Sequence, residues 1–394
     1  MSAARTSSTA RRSFPRTLLR ADLRDFTGYS SARTSHTGAD ARIWLNANES
    51  ATPNQADPQG RQRRYPTPQP AELVAALAGL YDTDPAGLVV GRGSDEAIDL
   101  LVRALCRPGG DGVVVCSPTF GMYAVSARLH GVPVHDVPQH DNGHTWTVDT
   151  EQVTRVARET GSRLVFLASP GNPTGAVVPA RDVLDLVDAL ADQAVVVLDE
   201  AYVEYAGPED TGGDHRSTGE PAAAVSLIEQ IATRPTLTVL RTLSKAHGLA
   251  GARVGTVLAH PDLAAVLRRV QAPYPVPVPV LDLALAALGP KALADTTYRV
   301  SETLGQRTRL HAALSAHPLV RAVYDSRANF LLARCADPEA VDAMLEQLAG
   351  RDIVVRDMRH LPGLHDAVRV TAGSAAELDE VAGALAPQTD SLIR

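Results

Sequence analysis

The stretch VVVLDEAY, residues 195–202, places a short apolar run rich in valine directly before two acids and a tyrosine. Three similar runs occur in the same part of the chain, with helical patterns such as residues 181–191 among them: GVVVC (112–116), LVFLA (164–168) and LTVL (237–240). Apolar runs without polar alternation are typical of strands buried on both faces of a parallel sheet. The sequence therefore predicts an α/β domain with a mostly parallel central sheet.

A second, smaller domain is predicted after the proline-dense stretch APYPVPVPV (272–280), which cannot continue a helix. Helices are expected near 290–316, at 337–349 and at the end of the chain, and strands at 319–324, 329–333, 352–355 and 367–371. That order indicates an α+β domain. At the other end, residues 1–20 carry five arginines and many serines and threonines but no acid, a composition that transit peptides and disordered tails share. Because alanine and arginine are common throughout the chain, a disordered extension is the prediction.

The bulk composition limits the class of protein. A length of 394 residues suggests two domains, and a net charge of −7 argues against a nucleic-acid partner, which selects for basic patches. Cys106, Cys116 and Cys335 lack CxxC spacing, so neither a disulfide framework nor a metal site is expected. No apolar run reaches the roughly 18 residues of a membrane helix. Together with the scattered cysteines, which are typical of a reducing compartment, this predicts a cytoplasmic protein without membrane contact.

Polar loops follow three of the predicted strands. LVFLA precedes SPGNPTG, VVVL precedes DEAY, and LTVL precedes RTLSK. Because ligands bind at the carboxyl ends of parallel strands, we expect Asn172, Asp199, Tyr202 and Lys245 to converge there.

Each of these residues also has a plain structural explanation. NPTG is a turn signal, Asp199 is a suitable helix N-cap, and Lys245 is compatible with a surface charge. However, Lys245 is one of two lysines in a chain with 38 lysines and arginines, and only lysine readily becomes a neutral amine nucleophile. The rarity of lysine and its position among these polar loops therefore favour a catalytic role for Lys245.

A fourth loop lies in LVVGRGSDEAIDLL, residues 88–101. It predicts a strand, a glycine turn, Ser94 as N-cap and a helix with Asp95 and Glu96 in its first turn. Good capping alone explains these residue types, but Gly91 and Gly93 also allow close approach of a phosphate to the helix N-terminus. An amine, a carboxylate, a phosphate cradle and hydrogen-bonding side chains together suit pyridoxal 5′-phosphate.

The sequence resembles the fold-type I pyridoxal-phosphate aminotransferases, and among them the histidinol-phosphate aminotransferases. The resemblance runs from about Tyr29 to the C-terminus through these motifs: GYSSAR, WLNANE, RYP, GSDEAIDLLVRALC, SPTFGMY, SPGNPTG, VVVLDEAYVEY, RTLSKAHGLAGARVG, APYPVP, ANFLLAR, VVRD and VRVTAG. It implies an arm or lid over 21–60 that joins the small domain, a large cofactor-binding domain over 61–285 and a small domain over 286–394.

The resemblance also implies roles at the cofactor. Lys245 would hold pyridoxal phosphate covalently and then act as general base, and Asp199 would pair with the ring nitrogen. The remaining expected cofactor contacts are Asn172 and Tyr202 at the 3′-oxygen, Phe120 on the ring, and Ser94, Asp95, Ser244, Arg253 and the partner subunit's Tyr65 at the phosphate. A site shared in this way implies a homodimer, although Tyr65 is also compatible with an ordinary loop aromatic.

The substrates implied are an amino donor and a 2-oxo acid. Arg369 would bind a carboxylate through two hydrogen bonds, and Arg356 would add a second positive charge, although a surface position also explains Arg356. Tyr29 and Tyr274 would hydrogen-bond a substrate phosphate. The reaction implied converts histidinol phosphate and 2-oxoglutarate into imidazole acetol phosphate and glutamate, in histidine biosynthesis.

Two departures from the family pattern leave alternatives open. His247 stands where the family usually has an aromatic residue after SKA, and NESATP (48–53) replaces an early proline. The alternatives are an aminotransferase of aromatic or specialised amino acids and a lyase similar to threonine-phosphate decarboxylase. A regulator that borrows this fold would need a DNA-binding domain, which the N-terminal stretch does not resemble.

Overall fold

The computed structural model describes residues 12–31, 43–206 and 226–386. Its α-helices are α1 (Ala71–Leu80), α2 (Gly93–Leu105), α3 (Met122–Leu129), α4 (Thr150–Glu159), α5 (Ala180–Ala189), α6 (Pro261–Val270), α7 (Val278–Ala287), α8 (Pro290–Ser315), α9 (Pro338–Ala349) and α10 (Ala375–Leu385). Its strands are β1 (Leu88–Arg92), β2 (Gly112–Val115), β3 (Val134–Asp136), β4 (His140–Asp141), β5 (Trp146–Thr147), β6 (Ser162–Ala168), β7 (Val195–Asp199), β8 (Leu237–Thr242), β9 (Val254–Leu258), β10 (Val320–Val323), β11 (Phe330–Cys335), β12 (Arg356–Asp357) and β13 (Ala367–Thr371). Short 3-10 helices span Arg16–Leu18, Ala21–Leu23, Pro85–Gly87, Val203–Tyr205, Ile228–Ala232 and Ala250–Ala252.

The large sheet has seven strands in the order β1-β9-β8-β7-β6-β2-β3. The strands β3, β2, β6, β7 and β8 pair in parallel, whereas β9 runs antiparallel to both of its neighbours. All four apolar runs form strands of this sheet. The prediction of an α/β fold with a mostly parallel central sheet is confirmed.

Helices cover both faces of this sheet, which explains why its strands are apolar at successive positions. Val196 packs in one core cluster with α1, α4 and α5, whereas Val197 packs in the other with α2, α3 and α6. Because neighbouring residues of a strand point to opposite faces, an apolar run buries every side chain. Each such side chain stabilises the fold by roughly 1.5–3 kcal/mol.

The second unit is an antiparallel sheet in the order β10-β11-β13-β12, packed against α8, α9 and α10. It has the predicted α+β composition. The strand expected at 352–355 is displaced, because Asp352 adopts a left-handed φ of 57° and pairing with β13 begins only at Arg356. The predicted domain boundaries at 60 and 285 stay predictions.

The prediction of a disordered extension is wrong for residues 12–20. Phe14, Leu18 and Leu19 are buried in the cluster that contains α2, and the Arg20 amide donates to the Ala104 carbonyl at 3.1 Å. The arginine-rich composition concealed three large apolar residues, whose burial fixes this segment against the domain. Residues 1–11, the rest of that prediction, lie outside the described residues, as do 387–394 of the expected small domain.

Candidate active site

The carboxyl ends of β6, β7 and β8 meet at one edge of the large sheet. Ala168 is opposite Asp199 in the ladder, and Asp199 is opposite Leu240. The loops beyond are tied together as well, since the Ser169 amide donates to the Asp199 carbonyl and the Glu200 amide to the Leu240 carbonyl, both at 3.0 Å. A cavity of about 610 Å³ opens at this edge.

Eleven of the predicted site residues line this one cavity. They come from α2, the loop before α3, the loops after β6, β7 and β8, and the second sheet: Ser94, Asp95, Phe120, Asn172, Asp199, Tyr202, Ser244, Lys245, Arg253, Arg356 and Arg369. The structure thus brings together side chains that are as far as 275 positions apart in the chain. Their individual roles stay predictions.

Lys245 lies half-buried in the cavity, with its Nζ 5.2 Å from the centre of the Tyr202 ring. Burial and the positive charge of Arg369 lower the pKa of Lys245, and they outweigh the opposing attraction of Asp199. The surroundings therefore favour a neutral amine, which is the form required of a nucleophile or a base.

Asp199 is buried at the end of β7 and is held from two sides. Its Oδ2 accepts a hydrogen bond from the Tyr123 hydroxyl at 2.7 Å, and its Oδ1 accepts one from the Ala201 amide at 3.0 Å. Burial raises the pKa of Asp199 in spite of both bonds. A buried carboxylate with a raised pKa gains stability from a cationic partner, such as a protonated ring nitrogen.

Tyr123 is a site residue that the sequence reasoning missed. It is fully buried on α3, stacks on Phe166 at 4.7 Å and fixes the position of Asp199. The motif SPTFGMY contains this tyrosine, but a tyrosine at the start of a helix gives no sign that its hydroxyl reaches a carboxylate 76 positions further along.

The first turn of α2 forms one end of the cavity. The prediction of Ser94 as N-cap is wrong, because α2 begins at Gly93 and the cap position is Arg92. Glu96 takes the capping role, since its carboxylate accepts the Arg92 amide at 2.6 Å and thus turns back from the cavity. Ser94 and Asp95 line the cavity instead, and Asp95 pairs with Arg253 at 2.8 Å.

Two glycines allow β9 and α2 to approach closely. A Cβ atom on Gly255 would lie 2.4 Å from the Ser94 nitrogen, and one on Gly93 would lie 2.5 Å from Nη2 of Arg253. Gly93 also has a φ of +78°, which favours glycine. The unpaired N–H groups of a helix start, the Ser244 hydroxyl and the Arg253 guanidinium together form a cradle for an anion such as a phosphate.

The opposite end of the cavity is positively charged. Arg369 and Arg356 are directly opposite each other in the β13–β12 ladder. Arg369 donates from Nη1 to Oδ1 of Asn172, and its Nε is buried with no hydrogen-bond partner among the described residues. A buried guanidinium N–H without a partner is a donor available to an anionic ligand.

The structure does not place three predicted residues in the cavity lining. Tyr29 is 70% exposed, and Tyr65 is 51% exposed and stacks on Tyr274 with ring centres 4.7 Å apart. His247 also lies outside the lining, where it is buried near Glu204. The lining also contains residues that sequence reasoning missed. Thr119 and Met122 lie within the motif SPTFGMY, whereas Val125, Met358, His360 and Leu361 lie outside the quoted motifs.

The amine, carboxylate, anion cradle and hydrogen-bond donors of this cavity fit pyridoxal phosphate, with its aldehyde, ring nitrogen, phosphate and 3′-oxygen. The mixed sheet, the smaller α+β unit and this donor set define a fold-type I transferase. The family model described as aminotransferase class I and II matches residues 36–385, and the chain belongs to that family.

Individual relatives agree with the family. The histidinol-phosphate aminotransferase of Stenotrophomonas maltophilia (strain R551-3) is 49% identical over 368 residues, which cover 93% of this chain and 95% of that protein. The enzyme of the same name from Xanthomonas campestris pv. campestris (strain 8004) is 50% identical over 369 residues, which cover 93% of this chain and 96% of that protein. The crystal structure of histidinol-phosphate aminotransferase from Sinorhizobium meliloti in complex with pyridoxal-5′-phosphate has a TM-score of 0.71 at 27% identity, and the match covers 86% of this chain and 88% of that one.

Proposed function

We propose that this protein is a pyridoxal-phosphate-dependent aminotransferase that converts histidinol phosphate and 2-oxoglutarate into imidazole acetol phosphate and glutamate, a step of histidine biosynthesis. The observation that carries the proposal is Lys245, which lies in one cavity with the buried Asp199 and the pair of Arg356 and Arg369. The curated relatives at 49% and 50% identity bear the name of that activity.

Bound pyridoxal phosphate would supply the electron sink that makes a proton on the substrate carbon next to nitrogen labile. Lys245 is suited to hold the cofactor and then to move that proton, because its lowered pKa favours the neutral amine. Asp199, positioned by Tyr123, would hold a positive charge at the ring nitrogen. Tyr202 and Asn172 would bind the 3′-oxygen, Phe120 the ring, and Ser94, Asp95, Ser244 and Arg253 the phosphate.

The two arginines would bind the anionic groups of both substrates. Histidinol phosphate carries a phosphate where an amino acid carries its α-carboxylate, and glutamate carries two carboxylates. A planar guanidinium with a fixed charge accepts either anion. Tyr29 and Tyr274 remain proposed contacts of the substrate phosphate.

The proposed protein is a homodimer in which the partner subunit's Tyr65 completes the phosphate site. Exposed apolar side chains support this: Leu283 on the apolar helix α7 is 47% exposed, and Ile43 and Leu45 of the N-terminal arm are 61% and 89% exposed. A subunit interface would remove these side chains from water. Mixing and refolding the Tyr65→Ala and Lys245→Ala variants tests the sharing, since a mixed dimer regains one intact site, whereas unshared sites give no added activity.

A cytoplasmic location is also part of the proposal. Cys106, Cys116 and Cys335 are free and buried, as is usual in reducing compartments. Among the described residues, no helix is long and apolar enough to cross a membrane.

The deciding experiment mixes the purified holoenzyme with single amines and follows the loss of cofactor absorbance as the amine group is transferred. Histidinol phosphate should convert the cofactor fastest, and 2-oxoglutarate should restore it. Faster conversion by an aromatic or other amine would contradict the substrate assignment. Release of CO₂ without need for 2-oxoglutarate would instead favour the lyase.

A further inference from the structure

The described residues of the second unit contain a charged cluster away from the cofactor end of the cavity. Arg334 of β11 is buried, and its guanidinium contacts four groups, one of which is the Tyr324 hydroxyl at 3.4 Å. Nε donates to Oδ1 of Asp366 at 2.8 Å, Nη2 donates to the Gly363 carbonyl at 3.0 Å, and Nη1 donates to Oδ2 of Asp141 at 2.8 Å. The Tyr324 hydroxyl donates to the same Asp141 oxygen at 2.5 Å.

These contacts join two segments that are distant in sequence. Asp366 and Gly363 belong to the loop 357–366, here called the substrate loop, in which Met358, His360 and Leu361 line the cavity. Asp141 belongs to the hairpin of β4 and β5, residues 140–147, which lies in the chain between strands of the large sheet. Arg334 therefore clamps the substrate loop to the hairpin.

Apolar packing reinforces the clamp. Trp146 of the hairpin packs with Tyr324, Met358 and Leu364 in one buried cluster. A Cβ atom on Gly363 would lie 3.4 Å from the Trp146 ring, so the loop backbone rests on the indole. The Asp325 amide also donates to the His144 carbonyl at 3.1 Å.

Some side chains of the substrate loop reach the cavity and others do not. Arg359 is turned away, because its guanidinium pairs with Asp357 and Asp342, each at 2.8 Å. His360 and Leu361 therefore line the cavity beside Arg356. A loop held from outside the cavity can present binding groups without any side chain of the clamp touching the substrate.

We propose that Asp141 and Arg334 are positioning residues for substrate specificity: through the hairpin they hold the substrate loop in place so that Arg356, His360 and Leu361 present a fixed surface to the part of the substrate beyond its reacting carbon. This inference rests on the proposed function only in that the cavity binds an anionic amine. It assigns the hairpin a role in substrate binding and none at the cofactor.

The test compares Asp141→Asn with wild-type holoenzyme. Asn is neutral, so the hydrogen bonds from Arg334 and Tyr324 to residue 141 lose their charge assistance and become weaker. We therefore expect KM for the amine substrate to rise about fivefold to tenfold while kcat stays within about twofold. Cofactor affinity should not change. Amide hydrogen exchange of the substrate loop, residues 357–366, should become faster, because the loop is released.

Matched variants separate positioning from loss of stability. Asp379→Asn makes the same change in an exposed ion pair with Arg309 on α8 and should alter neither KM nor exchange in the loop. Asp141→Glu keeps the charge and should recover part of the lost affinity. Tyr324→Phe removes one hydroxyl and keeps the packing, so it tests the cluster even if Asp141→Asn folds poorly.

An unchanged KM and unchanged loop exchange in folded Asp141→Asn and Tyr324→Phe would overturn the proposal, as would a fall in kcat with constant KM. The measurement uses the amine that converts the wild-type cofactor fastest. If that amine is not histidinol phosphate, the substrate assignment fails, but the ratio between variant and wild type still decides the role of the clamp.

Discussion

The two ends of the cavity are built in different ways. At the proposed cofactor end, Asp199 is the last residue of β7 and Lys245 lies three residues beyond β8, and backbone hydrogen bonds fix the loops that follow these strands. At the substrate end, Arg356 and the substrate loop depend on a two-residue strand and on the long side chain of Arg334. A group fixed by the backbone ladder of a sheet is less sensitive to changes in distant side chains than a loop fixed mainly by side-chain contacts. We therefore expect substitutions at the proposed cofactor end to lower kcat and those at the proposed substrate end to change KM for the substrate.

The largest effect is expected for Lys245→Ala, which would remove both the proposed covalent attachment of the cofactor and the proposed proton carrier. Activity should fall by about 10⁴-fold or more, and the absorbance of the bound cofactor should change. Lys291→Ala is the matched control, since Lys291 is the other lysine of the chain and is exposed on α8. Full activity in Lys245→Ala would move the cofactor attachment to another residue.

Asp366→Asn tests the stability of the substrate end. Burial opposes ionisation of Asp366, but hydrogen bonds from Arg334 and Arg321 hold its pKa below the usual range. The charged carboxylate should therefore stabilise the fold above about pH 4, and this contribution is lost as pH falls through the lowered pKa. At pH 7 the free energy of unfolding of the variant should be about 3 kcal/mol lower than that of wild type, as expected for a broken buried ion pair.

Urea unfolding at several pH values measures this difference. The difference in free energy of unfolding between wild type and Asp366→Asn should be largest at pH 7 and should become smaller below about pH 4. A gap that stays constant down to pH 2 would mean that the ionised form of Asp366 is not what stabilises the fold.

Arg369→Lys probes the anion site. Lysine keeps the charge but loses the planar pair of donors, so KM for the amino donor should rise about tenfold to a hundredfold, while the cofactor absorbance should persist. Initial rates with varied amine concentration measure the change. Arg359→Lys is a suitable control, because Arg359 is paired with Asp357 and Asp342 outside the cavity. Equal effects of the two variants would argue against a specific role of Arg369.

Tyr123→Phe removes one hydrogen bond to Asp199 and keeps the stack on Phe166. We expect kcat to fall by about tenfold with little change in KM, because the carboxylate is less well oriented toward the cofactor nitrogen. A rise in KM with constant kcat would instead indicate that Tyr123 acts on substrate binding.

The smallest effect is expected for His247→Phe, which introduces an aromatic residue of the kind usual in the family. His247 is buried outside the cavity lining, and its Nδ1 has no hydrogen-bond partner within the described ranges. Since burial already lowers the pKa of His247, an uncharged ring should be accepted there. KM and kcat should stay within about twofold of wild type across a panel of amines. A change of preferred amine would show that the departure from the family pattern alters specificity.

Sequence reasoning succeeded where function follows directly from a regular element. The runs before Asn172, Asp199 and Lys245 predicted parallel strands, and parallel strands bring their carboxyl ends together. It failed where a local pattern had two explanations. Ser94 is a good capping residue, yet the helix begins two residues earlier than predicted, so Arg92 is the cap position and Glu96 accepts the hydrogen bond of its amide. The arginine-rich start concealed Phe14 and Leu18, whose burial depends on a partner surface on α2.

The sequence by itself determined the α/β class and the sheet edge at which the cavity lies, and nine of the ten predicted cofactor contacts line that cavity. Strand periodicity and turn chemistry are local properties, and a parallel sheet converts them into one place in space. Only the tertiary structure decided that Tyr123 supports Asp199, that Arg356 faces Arg369, and that Arg334 ties the substrate loop to the hairpin at Asp141. The contacts of Tyr123 with Asp199 and of Arg334 with Asp141 join residues 76 and 193 positions apart through single side chains, and no local pattern specifies such a pairing.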